Sequence, residues 1–126
     1  RDKQAALAVS YSDDGGQSFT RRIGVSEGVL DPNHPFLDSV GDGRLALVFQ
    51  GRPAGEANGW APMRVYYREL DNAGTLSPLQ TVGQLTGSAT YPVFAFEEPG
   101  RVYVAWTEPK GEGKVVVMSR GRHASH

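Results

Sequence analysis

The sequence predicts an all-β chain of short antiparallel strands, organised as a repeated sheet unit. Three observations predict it. The 126 residues include 16 Gly, 8 Pro, 5 Phe, 5 Tyr and 2 Trp, and turn residues scattered among aromatic and β-branched ones suit many short strands rather than a helical bundle. Apolar and polar residues alternate over short runs, which is the period of a strand. The chain also superposes on itself, residues 5–50 on 62–107 without a gap, so that Asp14 falls on Asp71, Ser18 on Thr75, Pro35 on Pro92, Gly43 on Gly100, Arg44 on Arg101 and Phe49 on Trp106.

The strands follow in order. Ala5–Ser12 is the first, and Ser12–Phe19 reverses it into Phe19–Val25. His34–Val40 comes next, and the turn Gly41-Asp42-Gly43 returns it as Arg44–Gln50. Met63–Glu69 and Leu76–Val82 form a hairpin around Asp71. Pro92–Phe96 turns at Glu98-Pro99-Gly100 into Arg101–Thr107, and Lys114–Arg120 ends the series. Glycine supplies positive φ at such reversals, and Asp binds nearby backbone amides.

The most specific stretch is Ser12-Asp13-Asp14-Gly15-Gly16-Gln17-Ser18-Phe19. Ser12, Asp14, Gly16, Ser18 and Phe19 satisfy Ser-x-Asp-x-Gly-x-Ser/Thr-Trp/Phe at every defined position. Ser12 and Ser18 are expected to bond across the turn, and Phe19 to pack onto the sheet. This motif resembles the Asp-box, the structural hairpin signature of sialidases and related β-propellers. The second copy is degenerate, with Glu69, Ala73 and Leu76 where the first has Ser12, Gly16 and Phe19. The resemblance extends over nearly the whole chain as a blade repeat and is specific over Ser12–Phe19.

The resemblance implies antiparallel four-stranded blades of a sialidase-like β-propeller, with strands A to D counted from the axis. A blade repeat spans roughly 40 to 50 residues, and the loop Gly51–Pro62 accounts for the excess here. Residues 5–25 are then strands C and D of one blade, 34–82 a complete blade, and 91–120 strands A to C of the last, so that 1–126 form about two to three blades of an incomplete ring. A six-bladed ring needs about 24 strands. The remaining blades are expected on another chain or a removed segment, and a start at Arg1 reads as a processed piece. An extracellular or periplasmic setting goes with the resemblance.

Composition narrows the function. A net charge of -1 gives no support to a nucleic-acid partner. The absence of Cys excludes disulfides, thiolate metal sites and Cys nucleophiles. No apolar run reaches the roughly 18 to 20 residues of a membrane span. His34 has no second His at ligand spacing, so neither a metal nor another cofactor is expected.

In a blade the A–B and C–D turns share one face, and the longer B–C and D–A loops share the other, where binding residues are expected. Arg52, Glu56, Asn58 and Trp60 in the loop Gly51–Pro62 offer charge, hydrogen bonds and an aromatic platform for a sugar. The competing reading is a surface insertion whose Trp60 packs back on the blade. Asp31 and His34, with Asn33, form a second candidate group.

Sialidases carry a nucleophilic Tyr at the start of the last blade's inner strand. Tyr91-Pro92-Val93-Phe94 resembles that place, with Pro92 for the family's Ser and Phe94 for its Met. Tyr91 is the nucleophile's counterpart on that resemblance, or an aromatic lining the channel, as His34 at the equivalent position suggests. The family also grips a carboxylate with three Arg and uses a general-acid Asp and a Glu. Ala61 occupies the nearest Arg position, Arg52 and Arg64 are the neighbours, and the acids belong to earlier blades. Arg21, Arg22, Arg44 and Arg101 read as turn or surface charge, and His123 and His126 lie in a polar tail. The chain is therefore expected to be a non-catalytic propeller part, a scaffold or a recognition surface for a glycan or protein. The alternative is the C-terminal portion of an exo-α-sialidase-like glycoside hydrolase.

Overall fold

The computed structural model describes residues 5–53, 62–82, 89–110 and 113–122, with side chains described up to Glu108. The candidate residues Glu56, Asn58 and Trp60, together with Ala61, His123 and His126, lie outside these. The described residues form nine strands and no helix: β1 Ala8–Val9, β2 Ile23–Gly24, β3 Val29–Ser39, β4 Leu45–Pro53, β5 Arg64–Leu70, β6 Gln80–Thr81, β7 Thr90–Glu97, β8 Arg101–Lys110 and β9 Gly113–Arg122. They make three antiparallel sheets, β1-β2, β3-β4-β5-β6 and β7-β8-β9.

The central sheet is sandwiched between the other two, and the sequence of β4 shows why. Successive side chains leave a strand on opposite faces. Leu45–Phe49 is apolar without interruption, the pattern of a strand covered on both sides. Ala46 and Val48 enter one buried cluster with Val65, Tyr67, Phe94, Val102, Val104 and Trp106. Leu47 and Phe49 enter the other, with Val9, Val25, Val29, Tyr66 and Leu70. Full burial of a side chain such as Phe49 contributes roughly 1.5–3 kcal/mol.

Two sets of polar contacts brace the central sheet, and the second ties it to its neighbour. Glu69 is fully buried, accepting from the Tyr67 hydroxyl at 2.6 Å and from Arg44 Nε at 3.2 Å. Arg44 is therefore not the turn or surface charge expected of it: its side chain runs over the sheet, because a buried carboxylate requires a cation. Burial, then the bond to Glu69, pushes the Tyr67 phenol up. Arg68 donates from Nε to Ser77 O and from Nη1 to Val25 O, each at 3.0 Å, joining β5 to the first sheet.

The internal repeat is visible in the pairing, with one correction. Phe36 pairs with Val48 as Val93 does with Ala105, and Ser39 with Leu45 as Phe96 does with Val102. The hairpins differ by one residue. Thr20 N bonds Tyr11 O while its hydroxyl accepts from Tyr11 N, and Ser77 makes both bonds with Glu69. Residues 5–12 therefore match 63–70, not 62–69, and the first hairpin is one residue longer.

Its turn is held by side chains. The Ser12 hydroxyl donates to Asp14 Oδ1 at 2.7 Å and accepts from Gly16 N at 2.8 Å, and Asp14 accepts from the Gln17 and Ser18 amides and the Ser18 hydroxyl. Gly16 sits at φ 95°, a region open to glycine. Hydrogen bonds from Ser18 and then Ser12 hold the Asp14 carboxyl well below the usual carboxylate range. Phe19, expected on the sheet, is instead 64% exposed: it belongs to the turn, which ends only where Thr20 bonds Tyr11, ahead of the strand at Ile23. Arg21 and Arg22 are exposed and precede that strand.

Turns gather at one end of the sheets: Gly43 lies against Asn72, and Gly41 against Phe96 and Glu98. The opposite end carries the starts of β3 and β7 and the end of β4.

Candidate functional site

The starts of the edge strands β3 and β7 are broken by proline. Pro35 and Pro92 have no N–H to give to a ladder. The β3–β4 register slips between Asn33 and Phe36, and the β7–β8 register slips between Thr90 and Val93. Each slip is a β-bulge at the same place in the repeat, and bulges bend a strand and re-aim its side chains. A further slip between Leu30 and Asn33 surrounds Asp31.

The backbone at these bulges is strained. Asp31, His34 and Tyr91 take φ of 51°, 54° and 57°, a region that disfavours side chains larger than glycine's. The equivalent residues His34 and Tyr91 bring their rings together, with centroids 4.6 Å apart and planes inclined by 60°. Both are exposed, Tyr91 by 58%.

Neighbouring polar groups hold the arrangement. Tyr91 N donates to Gln50 Oε1 at 2.7 Å, so the buried end of β4 fixes the start of β7. Asn33 Nδ2 donates to Asp31 O at 2.8 Å. Arg52 Nη1 meets Asp31 Oδ2 at 2.9 Å, in an exposed pair worth little to stability. The result is an open surface with two aromatic rings, an amide, a carboxylate and a guanidinium. Rings of this kind stack on apolar ligand faces while the polar groups exchange hydrogen bonds.

Of the residues singled out in the sequence, Asp31 pairs with Arg52 and His34 with Tyr91, both pairs at the same end of the sheets. Arg64 begins β5, opposite Gly51. Gln50 was not foreseen; the one polar residue ending the apolar run of β4 was its signal. The Tyr91 hydroxyl bonds to none of the described residues, and among them no group of three ligating side chains suits a metal. No helix among them is long and apolar enough to cross a membrane.

Compared with known proteins, the chain matches no family model, no curated protein and no solved structure.

Proposed function

We propose that this chain is a non-catalytic part of a sialidase-like β-propeller, working outside the cell or in the periplasm as scaffold and recognition surface for a glycan or protein. The remaining blades come from another chain or a removed segment. Ligand recognition centres on Asp31, His34, Arg52 and Tyr91. One observation carries the reading: repeated bulges hold His34 and Tyr91 at positive φ with their rings in contact and open to solvent. Such strain costs on the order of 1–3 kcal/mol per residue and collects at binding and catalytic sites. The Asp14-centred hairpin and the stacking of successive sheets support the propeller reading.

The exposed phenol at the start of β7 favours a second reading, the C-terminal portion of an exo-α-sialidase-like glycoside hydrolase. Against activity in this chain alone, no described residue bonds the Tyr91 hydroxyl as the base that activates a nucleophile must.

A glycan array separates the readings. Recognition predicts binding by the wild type that falls at least tenfold in Tyr91→Ala and in His34→Ala, with melting temperatures kept. Binding that ignores both substitutions, or its absence on the array and against protein ligands alike, overturns it. Turnover of a fluorogenic sialoside by the chain alone, lost in Tyr91→Phe, would establish the hydrolase instead.

A further inference from the structure

The two interfaces of the central sheet are unequally filled. Pro92 and Phe94 on β7 are buried, Phe94 being only 5% exposed. Their repeat counterparts on β3, Pro35 and Leu37, are exposed, Leu37 by 43%. Backbone position is the same, so the difference lies in what covers each strand.

Phe94 is covered by Phe36, edge-on at 5.4 Å, and by Tyr67 at 6.3 Å, with Ala46 and Val48 in the same cluster. At the first interface Tyr67 has its counterpart in Val9 on β1. Phe36, Ala46 and Val48 have none, because the first sheet contains only β1 and β2 among the described residues. In their place is an apolar groove of about 250 Å³ walled by Ala8, Val9, Pro35, Leu37 and Leu47.

The strand beside the groove offers a matching edge. Val25 N bonds Leu7 O, Val9 pairs with Ile23, and Thr20 N bonds Tyr11 O. In an antiparallel strand alternate residues bond to opposite sides. Leu7, Val9 and Tyr11 face β2, so the backbone groups of Ala8 and Ser10 face the groove side. At the corresponding places on β5, Tyr66 pairs with Phe49 and Arg68 with Leu47 of β4.

We propose that this groove docks a β-hairpin that stands to β1 as β3–β4 stands to β5. One of its strands runs antiparallel to β1, bonds through Ala8 and Ser10, and is apolar on both faces, as Leu45–Phe49 is. Its other strand lays an aromatic ring on Leu37, as Phe36 lies on Phe94. The inference rests on the scaffold reading above and adds the place and form of the partner.

The probe is a synthetic peptide with the sequence of residues 29–53, which fills the equivalent place at the second interface, beside a scrambled peptide of the same composition. Binding to the full chain is followed by NMR. The expected result is saturable binding that slows amide exchange at Ala8 and Ser10 at least tenfold, leaves Tyr66 and Arg68 unchanged, and is lost in Leu37→Asp. That substitution replaces an exposed side chain, so the melting temperature of the free chain is kept. Weaker binding by a peptide carrying Phe36→Ser is also expected. Absence of binding, equal binding by the scrambled peptide, or equal binding by Leu37→Asp overturns the proposal. Loss of peptide docking with Tyr91-dependent glycan binding intact removes this inference alone; the converse removes the recognition reading alone.

Discussion

The hairpin around Asp14 and the hairpin around Asp71 occupy the same place in successive sheets and are held in different ways. The first turn carries its own hydrogen bonds: Ser12, Asp14 and Ser18 bond one another and four turn amides, all in solvent. In the second, Asp71 keeps its bonds to the Ala73 and Thr75 amides, each 2.9 Å, and Ser12 and Phe19 give way to larger or apolar residues. It is also anchored from outside, through Glu69 to Arg44 and through Arg68 to Val25, while the bridge between Leu70 and Leu76 closes it from within. A hairpin with neighbours on both faces is fixed by burial and needs less from its turn; one with an open edge relies on its turn chemistry.

The largest effect expected from that difference is at Glu69. Glu69→Ala leaves the Arg44 cation and the Tyr67 hydroxyl without this partner and is expected to cost about 3–5 kcal/mol in urea unfolding. A cost below about 1 kcal/mol would mean that tertiary anchoring of the second hairpin is slight.

Tyr67→Phe removes one bond to the same carboxylate and is expected to cost about 1–3 kcal/mol. It also changes the alkaline limb. The folded Tyr67 pKa lies above its unfolded value of about 10, so the unfolded chain releases its proton first. The stabilisation is full below about pH 10 and is lost as pH rises. Wild-type stability therefore falls more steeply than that of Tyr67→Phe above that pH.

Asp71→Ala loses two bonds to turn amides, an expected cost of about 0.5–1.5 kcal/mol, measured by thermal unfolding. The remaining effect, at Asp14, is read locally and through pH; its bonds, like those of Asp71, are in solvent. Its folded pKa is depressed, so its contribution is full above the unfolded value of about 4 and is lost as pH falls through the folded one. Asp14→Asn should flatten the acid limb of the stability curve and shift amide resonances of Gly16–Ser18. An unchanged acid limb would show that the first turn does not rely on this carboxylate.

What the sequence disclosed follows the range of the forces involved. The turns at 12–19, 41–43, 71–75 and 98–100 were legible because Asp and Gly act over four or five residues. The all-β antiparallel character was legible in the alternation between those turns. Strand β3 was expected from His34 and begins at Val29, since two prolines and two bulges hide its alternation. The one-residue difference between hairpins was hidden because the degenerate second copy keeps too few marker residues. Of the site, Asp31, His34, Arg52 and Tyr91 were legible as residue types. The pairing of His34 with Tyr91 was not, because it depends on two sheets packing so that the Gln50 side chain reaches the Tyr91 amide. Arg44 was misread for the same reason, its partner lying on another strand.

The comparison of hairpins reduces to one observable, the hydrogen-exchange protection of equivalent amides in the free chain. The account predicts strong protection at Tyr66 and Arg68, which face β4, and fast exchange at Ala8 and Ser10, which face the groove. Equal protection at all four positions would contradict a repeat whose first sheet, among the described residues, leaves the β1 edge open.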